Sequence, residues 1–188
     1  SGKKGLRAVE EIQRTVQQSK VVNSDETGAR VDGQKAWEWV FCTLAAILHV
    51  IRPSRGSDVI ESIMGDHRAE VWGSDCLPSQ LKALAILWQI CLAHQLRNLQ
   101  AVVDLYPRSL WARAMQTLFR TAMHLGKRRE TLTPQGYGRQ VTILEQRLDR
   151  LLARRVSGVG ANLLDRYRTH RAHLLLFLHR ADVPSDNN

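Results

Sequence analysis

The spacing of apolar and polar positions changes character once along this chain. Up to about residue 105, short alternating or continuous apolar runs are broken by Gly, Pro and Asp; after Pro107 the spacing is helical. Leu6, Val9, Ile12 and Val16 predict a helix over 6–18. Val21-Val22 opens a first strand that closes at Asp25, with turns at Gly28 and Asp32-Gly33. Trp37, Trp39 and Phe41 alternate along 35–43 as a second strand, and Ala46 to Ile51 gives a third; short links between them predict an antiparallel meander. Pro53-Ser54-Arg55-Gly56 ends the third strand. Asp58 and Glu61 stand in capping-box positions for a short helix that Gly65 stops. Residues 69–74 form a fourth strand that delivers Asp75. A helix precedes it, so a crossover lays it parallel to the first strand. A helix over 79–86, a fifth strand over Leu87 to Cys91 and a helix over 93–105 complete this part.

Beyond Pro107, helices are predicted over 109–125, 139–155 and 161–178, linked by Gly126 to Gly138 and by Ser157-Gly158-Val159-Gly160. Val141, Leu144, Leu148, Leu151 and Leu152 form one apolar stripe, and Arg147, Arg150, Arg154 and Arg155 lie largely off it.

Charge sharpens this division. Residues 1–105 carry 12 Lys/Arg against 12 Asp/Glu, whereas 106–180 carry 15 against 4, nearly all Arg. A guanidinium fork matches phosphate oxygens, so this face suits salt-sensitive contact with DNA or RNA; a solvated helical face is the plainer alternative. The three cysteines, Cys42, Cys76 and Cys91, are odd in number and far apart, as in a reducing cytoplasm. No apolar stretch approaches the roughly 18 residues of a membrane span. The start, Ser1-Gly2-Lys3-Lys4-Gly5, lacks a signal-peptide core and reads as an internal boundary.

The candidate chemistry lies in two aspartates. Asp25 and Asp75 each follow a short apolar strand and enter a small-residue turn. If the first and fourth strands are neighbours, the two carboxylates face one another across 50 residues of sequence. Paired carboxylates on rigid strands suit hard Mg²⁺ or Mn²⁺, and two-ion sites of this kind run phosphoryl transfer on nucleic acids. Taken singly, each aspartate also fits a turn or helix cap. Cys91-x-x-His94 reads either as half a zinc site, with His170 and His173 the nearest further histidines, or as a packed pair. Trp37 and Trp39 read either as base-stacking platforms or as core, as do Trp88 and Trp111.

The element order β-β-β-α-β-α-β-α is that of a ribonuclease-H-like α/β fold: a mixed sheet of about five strands, here with a large all-helical insertion. Four stretches resemble the catalytic domain of insertion-sequence 66 family transposases: Asp25-Glu26-Thr27, Arg52-Pro53-Ser54-Arg55-Gly56, Cys91-Leu92-Ala93-His94 and Val183-Pro184-Ser185-Asp186-Asn187-Asn188. The resemblance implies an N-terminal helix (1–20), a catalytic core (21–105), a basic helical insertion (106–180) and a lead-in (181–188) to a third carboxylate. It implies that Asp25 and Asp75 are the first two ligands of two Mg²⁺ or Mn²⁺ ions, and that a Glu following Asn188 is the third, so that the fragment alone would be inactive. His94 would support the site; Arg147, Arg150, Arg154 and Arg155 would contact DNA. The partners implied are transposon ends and target DNA, with a homo-oligomer assembled on them in the bacterial cytoplasm. Asp75 departs from the family pattern in being followed by Cys76-Leu77-Pro78, and Gln95-Leu96-Arg97 keeps part of the basic run after His94. A non-catalytic nucleic-acid-binding module and a nuclease or resolvase of the same fold are the alternatives.

Overall fold

A computed structural model describes residues 2–75, 80, 83 and 85–186, the first three by backbone alone. The chain divides into two compact units, one running to Ile90 and one from Cys91 to Asp186.

The first unit is a mixed five-stranded sheet with two helices. Helix α1 (Gly2–Gln17) leads into β1 (Val21–Val31), β2 (Gln34–Cys42) and β3 (Ile47–Arg52), then α2 (Ser57–Met64), β4 (Ala69–Ser74) and β5 (Ala85–Ile90). The sheet order is β3-β2-β1-β4-β5. The expected antiparallel meander forms, and β4 returns parallel to β1 with β5 parallel beyond it. One face is packed by α1 and α2 over Val22, Trp39, Phe41, Leu48 and Trp72. Trp39 stacks on Phe41 at 6.1 Å and Trp72 meets Phe41 edge-on at 6.2 Å. Each such fully buried side chain contributes on the order of 1.5–3 kcal/mol. Trp39 is therefore core and offers no surface for a base.

Two strand-level expectations are corrected. β1 does not close at Asp25 but runs on to Val31, so Asp25 sits within the strand opposite Val40. Gly28 is not a turn: it pairs with Trp37 in the ladder. Cross-strand pairing outweighs glycine's weak strand preference here. The turn falls at Asp32-Gly33, both at positive φ (49° and 78°), which suits a two-residue hairpin. The capping box also fails to form. Gly56 occupies the N-cap position, and Asp58 instead accepts from Ser54 Oγ at 2.7 Å. The helix expected over 79–86 lies largely outside the described residues, and its last two positions belong to β5.

The second unit is helical: α3 (Leu92–Leu105), α4 (Leu110–Lys127), α5 (Pro134–Leu152) and α6 (Val159–Thr169). Tyr167 is fully buried between Trp111 (6.3 Å) and Phe119 (5.5 Å). α5 starts earlier than the apolar stripe predicts, because Thr133 caps Gly136 N–H (3.1 Å) and Pro134 fits the first turn; Gly136 and Gly138 lie inside the helix. It also ends earlier, at Leu152, where Arg168 donates to the carbonyls of Leu152 (2.8 Å) and Arg154 (2.9 Å). The expected helix 161–178 breaks at His170 into two short 3₁₀ turns, Arg171–His173 and Leu176–Leu178. Leu174, Leu175, Phe177 and Leu178 are all buried, and consecutive buried positions do not fit a one-sided helical stripe.

Candidate active site

The two aspartates are brought together by strand register. β1 and β4 pair as Val21 with Val71, Val22 with Trp72 and Asn23 with Gly73, a constant offset of 50. Asp25 and Asp75 each lie two residues past the last of these pairs, Asp25 still within β1 and Asp75 just beyond the end of β4. Directly opposed residues share a sheet face, and so do residues two apart along a strand. Asp25 thus follows Asn23 on the face opposite the α1–α2 core, and Asp75 leaves β4 beside that end of β1. Gly73 has a packing reason: a Cβ there would overlap the Asn23 amide. Both aspartates are half-buried, and Asp25 Oδ1 accepts the Glu26 N–H at 3.0 Å. On the same face, Val40 stands opposite Asp25 and His49 opposite Val40, with His49 Nδ1 3.0 Å from Glu38 Oε1.

The reverse face, directly behind Asp25, holds a polar network that the sequence reading missed. The Glu26 side chain is fully buried. Its Oε1 accepts from Arg55 Nη2 (3.1 Å) and Nε (3.2 Å), and its Oε2 accepts from Gln80 Nε2 at 2.6 Å. Gln80 Oε1 in turn accepts from Trp72 Nε1 (3.2 Å) and from the Ser24 hydroxyl. Burial pushes the Glu26 carboxyl up; the Gln80 hydrogen bond opposes this, the charge of Asp75 adds to it, and Arg55 opposes it. The network ties β1, β4, the turn after β3 and the segment following Asp75. A signal was available for part of it: strand alternation turns Glu26 inward, and a buried carboxylate requires a cation such as Arg55. Nothing in the sequence singled out Gln80.

The two carboxylates present the hard oxygen donors that Mg²⁺ or Mn²⁺ requires. Among the described residues, no group of three or more His, Cys, Asp or Glu side chains is gathered to hold a metal. That covers the zinc reading of Cys91 and His94. His94 Nδ1 lies 3.2 Å from Cys91 Sγ, and Cys91 is buried. His170 and His173 stand 6.1 Å apart, both pushed below the usual histidine range, chiefly by burial.

Within the helical unit, the run Val183-Pro184-Ser185 reaches the first turn of α3, where Leu92 N–H donates to Ser185 O at 2.9 Å. His94 is two residues further along that helix. On α5 the acids are engaged internally: Asp149 accepts two bonds from Arg171 (2.8 and 3.0 Å), and Glu145 lies 2.9 Å from His179 Nε2. Arg147 and Arg150 lie on α5, and Arg154 and Arg155 follow its end; among the described residues none of the four is paired with an acid. Arg150, Arg154 and Arg155 are exposed and Arg147 is half-buried.

A strand-ordered α/β unit with two aligned aspartates, joined to a basic helical unit, is the outline of a protein acting on DNA. The chain belongs to the transposase IS66 family, whose sequence profile matches residues 4–188. No curated protein and no solved structure matches it. The family makes DNA the partner. No helix among the described residues is long and apolar enough to cross a membrane.

Proposed function

We propose that this chain carries the catalytic acids of a DNA transposase on a ribonuclease-H-like sheet, with Asp25 and Asp75 as the first two metal ligands. The observation that supports this most is the constant offset between β1 and β4, which aligns the two carboxylates in a chain of transposase family. Asp25 and Asp75 would hold two divalent ions, Mg²⁺ or Mn²⁺; such ions supply activation of a nucleophilic oxygen and neutralisation of the leaving one. The chain's own part is positioning: the carboxylates stay level because the parallel ladder and the Glu26 network fix their strands. First water and then a 3′-hydroxyl would attack phosphorus, giving cleavage and strand transfer. A third carboxylate, which the resemblance puts after Asn188, would complete the site, and His94 would support it. Arg147, Arg150, Arg154 and Arg155 would bind the DNA backbone, with the protein working as an oligomer on paired ends.

A second reading, a DNA-binding module without catalysis, draws on the absence of a three-acid cluster among the described residues. Titration with Mn²⁺, followed by its spin resonance, separates the two. Asp25→Asn and Asp75→Asn should each weaken binding on the order of tenfold or more while leaving DNA affinity intact. Equal Mn²⁺ affinity in wild type and the double variant would sink the metal assignment. Joining of a labelled DNA end to a second duplex, by protein extended past Asn188, would separate a transposase from a nuclease.

A further inference from the structure

We infer a second DNA-backbone contact on the first unit, at the far end of the β1–β2–β3 meander, made by Arg30, Lys35, Arg52 and Arg55 around Trp37. The inference rests on DNA being the partner, and on neither metal binding nor catalysis. Composition gives no hint of it, because residues 1–105 balance 12 basic against 12 acidic side chains. Strand register does the concentrating. Arg30 stands directly opposite Lys35, Gly28 opposite Trp37, and Trp37 opposite Arg52. Directly opposed residues share a face, so Arg30, Lys35, Trp37 and Arg52 lie on one side of the sheet. Arg55 joins them from the turn after β3, with its guanidinium carbon 4.4 Å from the Trp37 ring centre. Lys35 Nζ lies 5.2 Å from the same centre.

Four physical points favour a phosphate-binding role over a plain solvated face. Like charges directly opposed on neighbouring strands are destabilising, so the Arg30–Lys35 pair works against the fold. No ion pair among the described residues relieves Arg30, Lys35 or Arg52. Arg55 is anchored rather than loose: its ion pair with buried Glu26 and its contact with Trp37 hold a half-exposed guanidinium in place, which lowers the entropy lost on binding an anion. A Cβ built at Gly28 meets nothing within 4 Å, so the surface beside Trp37 is open to a backbone. The ligand this chemistry fits is a run of phosphodiesters, read by charge and spacing and not by sequence.

Fluorescence anisotropy with a labelled DNA duplex, in EDTA and over a salt series, tests this. Arg30→Gln/Lys35→Gln should weaken binding about tenfold near 0.1 M salt and lower the slope of log affinity against log salt by about 1.5–2. Lys35→Glu turns the opposed pair into an attractive one. It should raise the thermal midpoint and weaken DNA binding together, a combination that lost folding cannot produce. Unchanged affinity and salt slope in folded variants would overturn the inference. So would a loss confined to Arg150→Gln/Arg154→Gln, or no DNA binding by the wild type. Because the assay contains no metal, a failed metal assignment for Asp25 and Asp75 leaves this result standing.

Discussion

Glu26 shows how much one residue's environment can decide. It neighbours Asp25 in sequence, yet strand alternation sends it to the other face of the sheet, where Arg55 and Gln80 satisfy both its oxygens. Removing Arg55 leaves a buried carboxylate short of its cation. Arg55→Ala should cost about 2–3 kcal/mol in urea unfolding at neutral pH, discounted from a fully buried pair because Arg55 is half-exposed. The pH dependence carries a sign. The folded-state pKa of Glu26 is raised above the ordinary 4.5, so its contribution to stability is fully present below 4.5 and is lost as pH rises through the folded value. Without Arg55 that rise should be larger, and the variant's deficit should shrink on acidification. A deficit that stays constant between acid and neutral pH would contradict this account. Asp25 and Asp75 were legible as candidates from their neighbours in sequence; Gln80 was not, because its role exists only where three separate segments meet.

The elements were read best where one periodicity ran unopposed. α3 and α4 fall within two residues of the spacing-based expectation, and β2 to β4 fall within one. The misplaced boundaries are those set by caps and partners. Thr133 with Pro134 starts α5 through two glycines that local propensity would leave in a loop. At the other end, Arg168 reaches across from α6 to the carbonyls of Leu152 and Arg154, combining hydrogen bonds with a cation at a helix C-terminus. Arg168→Ala should cost about 1 kcal/mol and fray the last turn of α5, detectable as faster amide exchange at Leu151 and Leu152 than at Leu144. Uniform exchange along α5 in the variant would show that the cap is incidental. The same helix sorts its charges: Glu145 and Asp149 hold the C-terminal segment while the arginines stay outside, which is why a count of net charge alone understates the basic face.

At the scale of the molecule, the pH response of the helical unit differs in sign from that of Glu26. His170 and His173 are both held below the usual 6.5: burial is the first cause for each, with Arg166 adding to His170 and His170 adding to His173. A depressed histidine favours the fold while neutral, so stability is present above 6.5 and is lost as pH falls through the folded values. Unfolding of wild type should therefore ease on acidification below 6.5, and His170→Gln/His173→Gln should flatten that slope; an unaltered slope would remove the pair from the account. By itself the sequence determined most of the element types, the meander, the crossover strand, the basic helical segment and the family resemblance that the profile match bears out. The structural features follow from period, turn residues and composition, and the resemblance from four short motifs, all of them local properties of a chain. The tertiary structure decided the rest. The 50-residue offset that levels Asp25 with Asp75, the Glu26–Arg55–Gln80 network behind them and the cation cluster around Trp37 each depend on strand register. Register is settled by burying one face of the whole sheet, and no single segment carries that information.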